Sequence, residues 1–129
     1  MNKKILIVLA DYYKDISDGL LKSALKNIPK SNRVKIIRVP GVFEIPITIS
    51  KNSKKFDAFL ALGCVIKGQT PHFDFISSAT TNAIMELSIK SNKPIGNGVI
   101  TCLNMRQAIA RKKKGREAAR AVVSILLQK

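Results

Sequence analysis

A chain of 129 residues, 46% of them hydrophobic, is long enough for one domain with its own core and too apolar for a disordered segment. Its 23 basic and 8 acidic residues leave a formal charge of +15, which implies anionic partners without fixing their size. A single histidine and two cysteines, Cys64 and Cys102, with no CxxC pair, exclude a zinc site, so no metal is expected.

Lys4 to Ala10 is a continuous apolar run that meets Asp11 with no small-residue cleavage site. It reads as a strand, not as a signal peptide or a membrane span. Ser17 is expected to cap a helix that carries Leu20, Leu21, Ala24, Leu25 and Ile28 at helical spacing. Val34 to Val39 predicts a second strand, ended by Pro40-Gly41, and Phe43 to Asn52 a short helix with Pro46 in its first turn. Phe56 to Ile66 is apolar almost throughout, as in a parallel strand buried on both faces. It contains Cys64; this thiol and Cys102 are expected to be buried and free, as in a reducing cytosol.

Beyond the Gly68-Gln69-Thr70 turn, Phe73, Ile76, Thr80, Ala83 and Leu87 mark one face of a long helix, with Thr70 at its N-cap and Pro71 at N1. Pro94 to Thr101 predicts a fourth strand, and helices over 104–111 and 114–127 complete the chain. The order βαβαβαβαα implies a parallel sheet covered on both faces. The simplest right-handed arrangement is a flavodoxin-like α/β three-layer sandwich with a four-stranded parallel sheet, one domain over 1–129. Ligands of such a sheet bind outside the carboxyl ends of its strands.

The candidate chemistry gathers at those ends. His72 falls in the first turn of the long helix, where backbone amides form a ready anion site, and histidine is the default acid/base near neutrality. A lone histidine is also often a surface or packing residue. Glu44, between apolar neighbours in VPGVFEIP, suits either a hydroxyl acceptor or a first-turn carboxylate that complements the helix dipole. Arg111 is either a bidentate phosphate ligand or a solvated helix-end cation. Seven basic residues between Arg106 and Arg120 suggest a nucleic-acid patch, but no aromatic residue falls among them to stack bases. A solvated surface is the plainer reading.

Together, VPGVFEIP, ALGCVIKGQTPHFDFIS, KPIGNGVIT and QAIAR, in that order and spacing, resemble the 6,7-dimethyl-8-ribityllumazine synthases across essentially the whole chain. The resemblance implies a cytoplasmic transferase of riboflavin biosynthesis that needs neither metal nor organic cofactor. It would condense 5-amino-6-ribitylamino-uracil with 3,4-dihydroxy-2-butanone 4-phosphate, and riboflavin synthase would act downstream. It also implies a homopentamer with sites between subunits, no membrane attachment and no specific nucleic acid. A basic α/β RNA- or nucleotide-binding module is the alternative.

By the same resemblance, Tyr12 places a ring against the pyrimidine, and Val42, Phe43 and Glu44 line the ribityl and pyrimidine site. Cys64, Val65 and Ile66 read the uracil edge through their main chain. Gln69 and Thr70 form the phosphate turn, with His72 as acid/base, Asn97 beside the ring, Arg111 as phosphate clamp and Lys114 near the phosphate. The chain departs from the family pattern at Asp11, where relatives often carry Arg, at Tyr12 in place of the commoner Phe, at Asn97 in place of Phe, and in a shortened loop after Arg111. The trimmed loop and a missing N-terminal extension lead us to expect isolated pentamers rather than a larger closed shell.

Overall fold

The central strand β1 (Lys4–Ala10) alternates its side chains between two cores, as the period of two in a strand requires. Ile5, Ile7 and Leu9 face one side, and Leu6, Val8 and Ala10 the other. In the computed structural model, which describes residues 1–128, β1 is followed by α1 (Lys14–Leu25), β2 (Arg33–Val39), a 3-10 turn at Val42–Glu44 and α2 (Ile45–Lys51). Then come β3 (Ala58–Ile66), α3 (His72–Ser91), β4 (Ile95–Cys102), α4 (Met105–Ala110) and α5 (Gly115–Leu126). Lys129, the last residue of the expected domain, lies outside the described residues.

The four strands are all parallel in the order β2-β1-β3-β4, as expected for the flavodoxin-like three-layer sandwich. The two middle strands are the two most apolar runs, and Ala58 to Cys64 are buried without a break. Helices α1, α4 and α5 cover the Ile5 side through Ile16, Leu20, Ala108, Ala119 and Val122. Helices α2 and α3 cover the Leu6 side through Ile45, Ile49 and Ile84. No helix among the described residues is long and apolar enough to cross a membrane.

Three helix starts differ from the sequence reading. Ser17 does not cap α1; the helix begins at Lys14 and Ser17 sits inside it, fully buried. Its hydroxyl reaches the carbonyl oxygens of Ala10 at 2.6 Å and Tyr13 at 2.9 Å. The hydroxyl thus donates to the end of β1, whereas a capping serine would accept from the first amides of the helix. Thr70 is likewise not the cap of α3: Pro71 holds that position, and Thr70 Oγ1 accepts only a long 3.4 Å bond from the His72 amide. The segment expected as one helix over 43–52 divides in two, because Pro46 has no N–H to continue the ladder onto Val42. The Ile45 amide donates to the Val42 carbonyl instead, closing a 3-10 turn.

Candidate active site

Register brings the carboxyl ends of β1, β2 and β3 to one edge of the sheet, and three loops leave it there. The first carries Tyr12 and Tyr13. It is tied back by the Asp11 amide, which donates to the Val39 carbonyl at 2.9 Å. Arg38 Nη1 donates to both carboxylate oxygens of Asp11, at 3.0 and 3.2 Å, so the acid that departs from the family pattern is paired within the sheet edge. The two tyrosine rings meet edge to face, with centroids 4.9 Å apart. Tyr12 is 75% exposed, whereas burial raises the pKa of Tyr13 above that of an ordinary phenol, with smaller contributions from Tyr12 and Cys64.

The second loop is Pro40-Gly41 and the turn Val42–Glu44. It lies against β3 because position 63 is glycine: a Cβ there would stand 2.7 Å from Val42 Cγ1 and 2.9 Å from Ala10 Cβ. Val42 is thereby buried while Phe43 stays 64% exposed at the cleft rim. Glu44 is half-buried and folds back over Gly41, where a Cβ would meet its Oε1 at 3.3 Å. The end of β3 supplies Cys64, Val65 and Ile66. Burial pushes the Cys64 thiol up to about 12, and the neighbouring Cys102 adds to the effect, so Cys64 has no thiolate to offer as a nucleophile at neutral pH.

The third loop leads into α3, whose first residue is His72. Its side chain is exposed and closes a cleft of about 310 Å³ floored by Val42, Cys64, Val65 and Ile66 and flanked by Tyr12 and Phe43. Tyr13, Gly41 and Ile76 also line this cleft, and sequence reasoning did not single them out as site residues. Each lies next to a signal already noted: Tyr13 follows Tyr12, Gly41 precedes Val42, and Ile76 lies one helical turn after His72. An apolar floor, a mobile-proton group at the rim and two aromatic faces suit a flat heterocycle whose edge meets strand-end backbone.

Residues 2–129 match the family described as 6,7-dimethyl-8-ribityllumazine synthase. The chain belongs to that family. A 6,7-dimethyl-8-ribityllumazine synthase of Methylorubrum populi is 40% identical over 136 residues, covering 95% of this chain and 80% of the relative. One from Cutibacterium acnes is 37% identical over 132 residues with the same coverage, and one from Paenarthrobacter aurescens is 37% identical over 130 residues, covering 94% and 81%. A nucleic-acid-binding module as the chain's main role is not favoured against a lumazine synthase match of this length.

Within one chain the remaining residues matched to the lumazine synthase pattern do not line this cleft. Glu44 lines a neighbouring cavity of about 470 Å³ with Phe43, Ile47 and Thr80. Gln69 and Thr70 are exposed in the loop before His72 and do not line the cleft. Asn97 is exposed on β4, its Oδ1 accepting from the Val99 amide at 3.0 Å. Arg111 caps α4, where Nη1 donates to the Thr101 carbonyl at 3.3 Å, and Lys114 pairs with Glu117 at 3.1 Å. The strand-end cleft of a single chain therefore joins aromatic and apolar groups to His72 and, among the described residues, has no lysine or arginine in its lining.

Proposed function

We propose that this single-domain protein acts in riboflavin biosynthesis as a 6,7-dimethyl-8-ribityllumazine synthase, a cytoplasmic transferase whose product riboflavin synthase consumes. The observation that carries the reading is the strand-end cleft, where Tyr12, Phe43, the Cys64 to Ile66 backbone and His72 converge in a chain of that family. In it, the amine of 5-amino-6-ribitylamino-uracil attacks the carbonyl of 3,4-dihydroxy-2-butanone 4-phosphate. Water leaves as the Schiff base forms, phosphate is eliminated, and ring closure releases a second water.

Tyr12 and Phe43 hold the pyrimidine between faces, Cys64, Val65 and Ile66 read its edge through main-chain groups, and Glu44 accepts from ribityl hydroxyls. His72, at the start of α3, accepts and returns protons, while Gln69 and Thr70 cradle the phosphate with the helix amides. Holding two substrates in register supplies up to about 7 to 11 kcal/mol of the barrier reduction, so no strongly activated side chain is required.

Two features favour completion of the site by a neighbouring subunit in a homopentamer. Among the described residues no lysine or arginine lines the cleft, and Asn97 on β4 and Arg111 and Lys114 at the α4–α5 connection of the same chain are outside its lining. The α2–α3 face is also unpaired and apolar, with Ile47, Phe75, Met85 and Ile89 between 59% and 73% exposed, a surface that a second copy would cover. In this arrangement Tyr12, Phe43, Glu44 and His72 face Asn97, Arg111 and Lys114 of the adjacent copy.

Incubating the protein with both substrates and following lumazine absorbance and fluorescence tests the activity; a folded, assembled sample without turnover overturns it. The shared site has its own test. Severely impaired His72→Ala and Arg111→Ala chains, unfolded together and reassembled at equal ratio, should recover about one quarter of sites, the fraction in which a His72-bearing subunit meets an Arg111-bearing neighbour. Recovery no greater than the mean of the two parents would place each site within one chain.

A further inference from the structure

The largest cavity described, about 700 Å³, lies in the groove between α1 and α5 and shares no lining residue with the strand-end cleft. Its walls carry six cations, Lys22 from α1, Lys26 at its C-cap, and Lys112, Lys113, Arg116 and Arg120 from the α5 side, against two carboxylates, Asp15 and Asp18. Of these acids, Asp15 meets Lys112 at 3.6 Å and Asp18 lies 4.0 Å from Arg38 outside the groove. Lys22, Lys26, Lys113 and Arg116 have no carboxylate within 4.0 Å among the described residues.

Close packing forces this accumulation of like charge. A Cβ at Gly115 would collide with the Leu20 carbonyl and lie 2.8 Å from Ser23 Oγ, and one at Gly19 would stand 3.0 Å from the Lys112 side chain. The two glycines draw the helices together, and Arg120 Nε donates across the groove to Asn27 Oδ1 at 3.2 Å. Lys22 and Lys26 on one wall, and Arg116 and Arg120 on the other, form i,i+4 pairs of like charge, which weaken isolated helices. Such a cost is removed when an anion with repeated charges occupies the groove.

We propose that the α1–α5 groove binds the phosphodiester backbone of a nucleic-acid strand without reading its sequence, through residues that do not line the strand-end cleft. Each i,i+4 pair spans about 6 Å along its helix, close to two steps of a strand that advances about 3.4 Å per charge. The arginines offer forked donors that match phosphate oxygens. No aromatic side chain lines the groove, so base stacking adds nothing to the affinity and binding rests on phosphate contacts alone, which position a strand without specifying it. The +15 charge of the whole chain brings the strand near, and the groove is where the unpaired cations face one another.

The test is fluorescence anisotropy of a labelled 20-nucleotide oligouridine with the assembled protein, titrated at several salt concentrations. A Lys22→Gln/Lys26→Gln/Arg116→Gln/Arg120→Gln variant should lower the slope of log affinity against log salt by about 3, from a contribution near 0.7 per phosphate contact in single strands. The milder Lys22→Gln/Lys26→Gln pair should lower it by about half as much, which guards against a folding defect in the quadruple variant. A control that loses four charges elsewhere, Lys30→Gln/Lys35→Gln/Lys51→Gln/Lys55→Gln, should keep both slope and affinity, and oligoadenosine should bind as oligouridine does. Equal losses in the control and groove variants would reduce the effect to net charge and overturn the site. So would unchanged binding in both groove variants, a marked preference between the two oligonucleotides, or stronger competition by polyglutamate of equal charge.

Discussion

The two helical layers bury the same sheet and end in opposite surfaces. On the α1–α5 side, α5 sinks Ala118, Ala119 and Val122 into the core and turns Arg116 and Arg120 outward to water, as an amphipathic helix at a solvent boundary does. On the other side, the 20 residues of α3 bury only Thr80 and Ile84, while Phe75, Met85 and Ile89 stand exposed. Apolar side chains on both faces mark a helix with more than one protein surface to meet. The comparison teaches that α5 meets water with charge over a buried apolar face, whereas α3 leaves a run of large apolar side chains exposed, the surface we propose a second copy covers.

The largest expected effect comes from breaking the α2–α3 layer. Ile47→Lys together with Met85→Lys would place unpaired charges where apolar burial contributes about 1.5 to 3 kcal/mol per side chain. Sedimentation should shift from assembly to single chains and turnover should be lost, with the circular dichroism of the fold retained. The same charge added to the α1–α5 layer, as Ser124→Lys on exposed α5, should leave assembly intact. Persistence of the oligomer in the first variant would remove the α2–α3 face from the interface.

Within the α1–α5 layer the sensitive point is the helix contact. Gly115→Ala inserts a methyl against the Leu20 carbonyl and Ser23, an overpacking defect of about 1 to 3 kcal/mol. Urea denaturation should show a lower midpoint with little change of slope.

Each layer also carries one group of the site we propose, His72 on α3 and Arg111 at the end of α4. Arg111→Ala should raise KM for the phosphate substrate, with a loss of about 2 kcal/mol typical of a charged hydrogen bond. His72→Ala should lower kcat instead, and only modestly where holding the substrates together dominates. Steady-state kinetics in each substrate separates the two; an unchanged KM in the arginine variant would remove it from the site.

The smallest effect is in alkali, on the side of the sheet that hides Cys64. The unfolded thiol ionises near 9.0 and the folded one is held up to about 12. The native state therefore keeps a proton that the unfolded state loses, so stability is full below about pH 9 and declines as pH rises toward 12. Denaturation midpoints measured across that window should fall, and Cys64→Ala should remove part of the slope. Rapid alkylation of native Cys64 at neutral pH would contradict its burial.

The sequence by itself determined the four strands, the helices between them and the parallel three-layer plan. Period-two and period-3.6 apolar patterns report which face each element buries, and two long apolar runs can be accommodated only at the middle of a parallel sheet. It also determined the family, because several motifs in fixed order are far more specific than any one residue. Tertiary structure alone decided how α1 and α3 begin, since the donor of Ser17 is taken by the Ala10 carbonyl and Pro71, not Thr70, stands at the cap. It alone brought Tyr13, Gly41 and Ile76 to the cleft, and it left Arg111 on the Thr101 carbonyl, outside the lining of the cleft that His72 closes. It also moved the centre of positive charge from a stretch of sequence to a groove, by setting Lys22 and Lys26 opposite Arg116 and Arg120. Local patterns record what a residue buries against its own sheet, whereas contacts between distant segments depend on how closely two helices can approach, and here glycines at 19 and 115 set that distance.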